Sequence, residues 1–421
     1  MIYLDNAATT FPKPRTVPQA VARAMMFYGA NPGRSAHRAS LRAAQETWLC
    51  REALSELLGA PNPARMIFCL NCTDALNMAI QGSLRPGMHV ITTALEHNSV
   101  LRQLAPLNSA GIIRLTILHP GESGIVTAKQ FDDAMANVDT SKEHDMQSAQ
   151  TATTSPQFAL PINLLQPLSE GRASLPDTLV ICTHASNVTG AIQPVCEIGT
   201  LCRTRGARFI LDAAQTAGII PIDLAHIGCD LAAMPGHKGL YGPMGTGMLY
   251  IADGANIEPL RKGGTGSSSQ SIYQPGDMPE CMESGTLNLP GIAGLRAGVE
   301  FVRKNGGELR EREQALSLRL IRGLAQIPDI RVLGPKQTSS RVGVISFNIG
   351  DIPSTEVADA LDAGDMHIAV RAGLHCAPLA HEHCGTLRQG AVRISLGAFN
   401  TEYDVDAALD ALEKLAVRRK L

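Results

Sequence analysis

Between about Ala64 and Ile251 the 421-residue chain repeats one texture, a short apolar run followed by a stretch of helical spacing. Arg65-Met-Ile-Phe-Cys69 leads to a helix expected near Thr73. His89-Val-Ile-Thr92 leads to another near Asn98, and Thr178-Leu-Val-Ile-Cys-Thr183 to a loop at Asn187. Phe209-Ile-Leu211 and Gly247-Met-Leu-Tyr-Ile251 extend the series. Successive side chains of a strand point to opposite faces, so unbroken apolar runs mean a sheet covered on both. Alternation with helices predicts an α/β fold around a mostly parallel sheet. Such sheets bind ligands beyond the carboxyl ends of their strands. Thr73, His97, Asn187, Asp212 and Lys238 all fall at or just past such ends, which groups them into one expected site.

After Pro290 the texture changes. Helical spacing runs through Gly291–Phe301 and again through Leu316, Leu320, Ile321 and Leu324. Strand candidates follow at Val342–Phe347, His367–Val370 and Ala391–Ser395, the pattern of a small α+β domain. The expected division is a large domain over 15–290 and a small one built from 1–14 and 291–421. Residues 139–176 are polar and rich in Ser, Thr, Gln and Pro, the composition of an exposed, mobile insertion.

Composition narrows the function. A net charge of -2 gives no reason to expect nucleic acid or an anionic membrane as partner. One Trp and six Tyr argue against an aromatic platform for bases. No apolar run suits a bilayer span, and Met1-Ile-Tyr-Leu-Asp5 lacks the pattern of a secretory signal. Ten cysteines at irregular spacing form no disulfide framework. The expectation is a soluble cytoplasmic protein with reduced thiols.

The chemistry centres on Lys238. Ala207–Gln215 reads as a buried strand ending on Asp212, and Cys229–Met234 delivers Pro235-Gly236-His237-Lys238-Gly239 to a loop. An acid closing one strand and a lysine just past the next suit pyridoxal phosphate. The lysine forms the Schiff base, and the acid pairs with the pyridine nitrogen and keeps the ring an electron sink. Cys72 and Thr73 open a tight turn between strand and helix. Thr73 is expected to cap that helix, where free N–H groups favour a phosphate; a plain N-cap is the equal alternative. Cys69 and Cys72 form a C-x-x-C with no partner pair at zinc spacing. His97 could stack on a pyridine ring and shuttle protons near neutral pH. Asn187 and Gln215 could hydrogen-bond the phenolic oxygen, or Asn187 the substrate.

Gly373-Leu-His375-Cys376-Ala-Pro378-Leu-Ala-His381-Glu-His383-Cys384 supports two readings. Cys376 can be a nucleophile on a loop, with Arg371 and His375 favouring its thiolate. The three His and two Cys can also be read as a metal site, and a plain loop fits the segment better than a metal site does. Arg393, on the following strand, suits bidentate capture of a substrate carboxylate and tips the balance toward the nucleophile.

Taken together, several stretches resemble the fold-type I, class V aminotransferase group, and within it the cysteine desulfurase and selenocysteine lyase branch. They are Tyr3–Thr10, Asn31–Arg38, Glu96–Val100, Thr183–Gly190, Asp212–Gln215, Gly236–Lys238 and Gly373–Cys376. The resemblance implies a mostly parallel, seven-stranded sheet plus a small C-terminal domain. It implies Lys238 as the Schiff-base lysine and proton carrier, Asp212 as pyridinium partner, Gln215 as phenolate partner and His97 as the stacking residue. Thr73 and His237 become phosphate ligands. Asn187 and Arg393, with Arg371, become substrate-orienting groups. Members are usually homodimers, which makes Arg34, His37 and the Gly263-Gly264-Thr265-Gly266 turn candidates for completing a partner's site. The implied reaction converts L-cysteine, or L-selenocysteine, to alanine and leaves the sulfur on Cys376 as a persulfide, for delivery to an acceptor protein or small thiol.

One position departs from this pattern. Members carry Ser or Thr three residues before the lysine, and here that place is Pro235, with neither hydroxyl nor N–H. Two other functions fit the residues less well. One is a different class V activity (selenocysteine lyase, transaminase or epimerase) in which Cys376 is incidental. The other is a non-catalytic sulfur-relay or metal-binding scaffold.

Overall fold

The computed structural model describes residues 1–32, 37–141 and 177–418. The strand β1 (Ile2–Tyr3) and helices α1 (Thr16–Phe27) and α2 (Arg38–Leu58) precede the alternating region. There follow β2 (Met66–Cys69), α3 (Cys72–Ser83), β3 (His89–Thr93), α4 (Asn98–Ser109) and β4 (Arg114–Leu118). Then come α5 (Ala128–Ser141), β5 (Thr178–Thr183), α6 (Val195–Arg205) and β6 (Arg208–Asp212). The short α7 (Leu224–Ile227), β7 (Leu231–Pro235) and β8 (Gly247–Ile251) complete the region. Apart from residues 139–141, which close α5, the polar insertion expected at 139–176 lies outside the described residues.

These strands form one seven-stranded sheet in the order β2-β8-β7-β6-β5-β3-β4. Only β8 runs against its neighbours, so the sheet is mostly parallel, as expected. Its two faces are read directly from the strands. Phe209 and Leu211 of β6 pack into one core, while Ile210 between them packs into the other. Val180 and Cys182 against Leu179 and Ile181 of β5 repeat the alternation. Burial on both faces is why these strands read as continuous apolar runs. The register sets Thr183 beside Asp212 and Asp212 beside Ala233, which places the acid in the middle of the sheet's carboxyl edge. The edge strand β4, with all five residues half-buried, has the weakest apolar signal and was not anticipated.

Helix α8 (Leu289–Leu324) merges two expected helices into 36 continuous residues. Asn288 caps it by accepting the Gly291 N–H at 3.1 Å. Beyond it lie β9 (Ile330–Val332), β10 (Val344–Ile349), α9 (Ser354–Ala363), β11 (Ile368–Ala369) and β12 (Arg371–Gly373). Helix α10 (Pro378–His383), β13 (Ala391–Ser395) and α11 (Glu402–Arg418) follow. A four-stranded sheet runs β12-β13-β10-β9, and β1 pairs in parallel with β11 through Ile2–Ile368. The strand expected over His367–Val370 is therefore shorter, because the chain leaves β1 after Ala369 and turns to pair with β13. Among the described residues no helix is long and apolar enough to cross a membrane.

Candidate active site

A cavity of about 280 Å3 opens at the carboxyl edge of the large sheet. Lys238 lies in the turn after β7 and keeps part of its surface open to this cavity, although protein crowds it on every side. That crowding pulls its ammonium pKa below the ordinary lysine value, with Cys72 and Asp212 opposing the shift. The N-terminal segment holds the turn. Thr10 Oγ1 donates to the Lys238 carbonyl at 3.0 Å, and Lys13 Nζ donates to the His237 carbonyl at 2.7 Å.

Asp212 closes β6 and is 2% exposed. Its Oδ1 accepts the Ala214 N–H at 2.9 Å and faces the Cys72 Sγ at 3.8 Å. Burial raises its pKa, and it forms no ion pair among the described residues. A buried carboxylate of this kind favours a cation placed against it. Gln215, three residues on, lines the same cavity and donates to the Ala7 carbonyl at 3.3 Å.

The opposite wall is built by the first turns of α3 and α4. Asn71, not Thr73, caps α3: its side chain accepts the Asp74 N–H at 2.9 Å. A Cβ on Gly247 would fall 2.5 Å from the Asn71 carbonyl carbon, so glycine there lets β8 approach the capping turn. Thr73, one residue inside the helix, instead meets Ser99 Oγ at 2.8 Å. Ser99 Oγ lies 2.8 Å from His97 Nδ1, which also accepts the Ser99 N–H at 3.0 Å. Nδ1 is thus an acceptor, and the neutral ring carries its hydrogen on Nε2. Burial, then the neighbouring Lys238, push the His97 pKa down to about 4. The imidazole is neutral at pH 7 rather than poised near neutrality, as the sequence had led us to expect. His237 is likewise held at about 4 by burial, and its buried Nδ1 has no partner among the described residues.

Arg393, 3% exposed, approaches from β13. Its Nη2 donates to Asp5 Oδ1 at 2.8 Å and its Nη1 to the Asn187 carbonyl at 3.2 Å, while the buried Nε has no partner among the described residues. Arg371 sits directly across the strand pair and reaches Asp5 Oδ2 at 4.0 Å. Asp5 therefore lies between two guanidinium groups, a contact that joins residues nearly the whole chain apart. Asn187 turns its amide away from the expected ligand position and donates to the His375 carbonyl at 2.7 Å.

Cys376 is exposed beside this wall, on the turn between β12 and α10. His375 and Cys376 both have left-handed backbones, with φ of 50° and 56°. The His375 carbonyl is held by Asn187 and the Cys376 carbonyl by the Asn98 N–H at 2.7 Å. Beneath the turn, His375 Nδ1 meets His381 Nε2 at 3.1 Å, and His381 Nδ1 meets Thr386 Oγ1 at 2.8 Å. Burial pushes the His375 pKa down to about 2, so this ring is neutral and adds no positive charge beside Cys376. Of the two groups expected to favour the Cys376 thiolate, His375 therefore does not. Among the described residues no group of His, Cys, Asp or Glu is arranged to hold a metal, and two of the three histidines are occupied with each other.

The structure thus brings Lys238, Asp212, Gln215, His97, His237, Thr73, Cys72 and Asn187 around one cavity. It does not bring Thr265, which lines a separate surface recess and bonds Ser267. Arg34 lies outside the described residues. His37 caps α2 through the Ser40 N–H at 3.2 Å. Sequence reasoning missed the clasps of Asp5 on Arg393 and of Asn98 on Cys376. Both residues stand in motifs noted above, but nothing local in them reveals the contact.

The chain matches the family model described as aminotransferase class-V over residues 2–141 and 168–408. A probable cysteine desulfurase of Methanothermobacter thermautotrophicus is 31% identical, with 99% of this chain and 94% of the relative covered. The cysteine desulfurase IscS of Clostridium botulinum is 29% identical over 100% of this chain and 95% of its own. Among solved structures, the apo cysteine desulfurase of Thermococcus onnurineus NA1 superposes with a TM-score of 0.82 at 29% identity, covering 99% and 95% of the two chains.

Proposed function

The chain belongs to the class-V aminotransferase family, and on that premise we propose that it is a pyridoxal-phosphate-dependent cysteine desulfurase. The observation that carries this reading is the tie between the Cys376 turn and the Lys238 cavity. Asn187, which lines the cavity, holds the His375 carbonyl, and the residue after His97 holds the Cys376 carbonyl. A thiol is thereby kept at the mouth of a lysine site.

The residues fit the cofactor. Asp212 is a buried acid without an ion-pair partner among the described residues, suited to a pyridinium N–H. His237 Nδ1 is a buried polar atom without a partner among the described residues, and with Cys72 and Thr73 it suits the phosphate. His97 would lie on the ring face and Gln215 at the phenolic oxygen, while the Asn187 amide stays on the His375 carbonyl. Pyridoxal phosphate, when bound, supplies an aldehyde for covalent capture and a sink for electrons from the substrate's Cα. The protein does the rest. Arg393, with its free Nε, grips the substrate carboxylate while Arg371 shields its outer side. Lys238, whose lowered pKa favours the free amine, takes the Cα proton at Nζ and returns it. Cys376 Sγ forms a bond to the substrate sulfur as the substrate C–S bond breaks. L-cysteine and the Cys376 thiol thus become L-alanine and a Cys376 persulfide, with atoms and electrons balanced.

The enzyme is cytoplasmic, is divided into domains at 15–290 and at 1–14 with 291–421, and passes its sulfur to a protein or small thiol. It acts as a homodimer, with Thr265 and Arg34 serving the partner's site. In support, α1 ends on Met25, Met26 and Phe27 at 67, 68 and 72% exposure, an apolar patch that calls for a covering surface. The test is incubation of the purified protein with L-cysteine, measuring alanine and sulfide together with and without a reductant. Equimolar alanine and reductant-releasable sulfur are expected; pyruvate or transamination products without alanine would overturn the reading.

A further inference from the structure

At the end of the large sheet opposite Lys238 lies a second cavity, of about 770 Å3. It is formed where β6 and β7 begin and where the chain leaves β8 and α3. Its charged lining is Arg85, Arg203, Arg208 and Lys262 against Asp230 and Glu258, four cations to two carboxylates. Ala207, Ile257 and Met278 give it apolar walls.

Arg208 is the informative residue. It opens β6, is 6% exposed, and its buried Nη1 has no hydrogen-bond partner among the described residues. Asp230 is near enough to act on its charge but forms no ion pair with it, and instead accepts the Phe209 N–H on Oδ2 at 2.7 Å. A guanidinium withdrawn from water and left unpaired is costly, and protein interiors normally match such a charge. Arg203 is held in place by its own contacts, donating to the Ile227 carbonyl and Thr200 Oγ1, both at 3.3 Å. Gly228, with φ of 68°, leaves the space that the Arg203 guanidinium occupies. Arg208 by burial and Arg203 by its contacts are therefore positioned by the fold, with Lys262 on the exposed rim.

We propose that this cavity binds a phosphate-bearing organic molecule, with Arg208 as its central anion ligand. Guanidinium groups match phosphate oxygens in geometry and charge. The volume falls in the range of small-molecule sites and exceeds what an inorganic anion needs, and the apolar walls suit an organic portion. Arg208 and Asp212 are the two ends of one strand, about 13 Å apart, so this is a site distinct from the Lys238 cavity.

The test is calorimetric titration of the full-length protein, preincubated with pyridoxal phosphate so that the Lys238 cavity is filled. ADP serves as the organic phosphate and inorganic pyrophosphate as the bare anion. Saturable one-to-one binding of ADP is expected, tighter than that of pyrophosphate and weakened by added NaCl. Arg208→Met should weaken it about tenfold or more, and Arg208→Lys less. Lys262→Ser, a substitution on the exposed rim, should weaken it severalfold and stands in for Arg208→Met if that variant does not fold. The proposal is overturned if ADP shows no saturable binding at millimolar concentration, or if binding is unchanged in both Lys262→Ser and the folded Arg208 variant. Equal binding of pyrophosphate and ADP would overturn the organic part of the assignment.

Discussion

The backbone N–H of Asn98 donates to the carbonyl of Cys376 at 2.7 Å, joining two residues 278 positions apart in the chain. This bond sets the exposed thiol next to the His97 turn, in a left-handed backbone that few side chains adopt.

Serine accepts the same backbone geometry as cysteine, so Cys376→Ser is expected to fold and to keep the absorption of a lysine-bound cofactor. Alanine production from L-cysteine should fall by at least about 100-fold. Spectrophotometry of the variant and an alanine assay check both halves. Alanine production near the wild-type rate would show that Cys376 does not receive the sulfur.

Arg393 has its outer nitrogens taken by Asp5 and Asn187, and its buried Nε, without a partner among the described residues, is the group proposed for the substrate carboxylate. Lysine keeps the charge and loses the fork. Arg393→Lys is expected to raise KM for L-cysteine by roughly 10- to 100-fold, with a smaller change in kcat. Steady-state kinetics over a wide cysteine range separate the two; an unchanged KM would remove Arg393 from substrate binding.

Pro235 ends β7 and lines the cavity three residues before Lys238. Pro235→Ser adds a hydroxyl where a phosphate contact is expected, an interaction on the order of 1.5–3 kcal/mol. The variant should retain pyridoxal phosphate longer than wild type during dialysis, followed by its visible absorbance. Identical retention would mean that other groups already satisfy the phosphate.

Buried imidazoles make stability depend on pH. Burial depresses His184 to about 4, so between its ordinary value of 6.5 and about 4 the unfolded chain binds a proton that the folded chain refuses. Its contribution to stability is therefore lost as pH falls through that window. Glu96 acts in the opposite sense: burial raises it to about 8, and its contribution is lost as pH rises from the ordinary carboxylate value through 8. Urea midpoints measured from pH 4 to 8 should show His184→Gln flattening the acid limb and Glu96→Gln the alkaline limb. An acid limb equally steep in His184→Gln would assign the effect to other groups.

The positions of β5, β6, β7 and β8 were legible because their apolar runs are long and interrupted by turns, a signal carried within a few residues. Asp212 and Lys238 were legible for the same reason, as each follows directly from the end of a strand. Capping of α3 was misjudged, since Asn71 and Thr73 are both capable caps and only the direction of the turn over Gly247 selects Asn71. Arg393 was legible as a strand residue near the site, but its clasp by Asp5 was not, because that bond depends on β13 returning beside the N-terminal segment.

By itself, then, the amino-acid sequence determined the covered sheet, the lysine and acid at its edge, and the thiol available to them. All of these follow from local periodicity and from the chemistry of single residues. Tertiary structure alone decided that His97 and His375 are neutral, that Asp5 stands between Arg371 and Arg393, and that Asn98 anchors Cys376. Protonation is set by burial and by neighbouring charge, and both are supplied by residues distant in the chain that meet only when the two sheets pack.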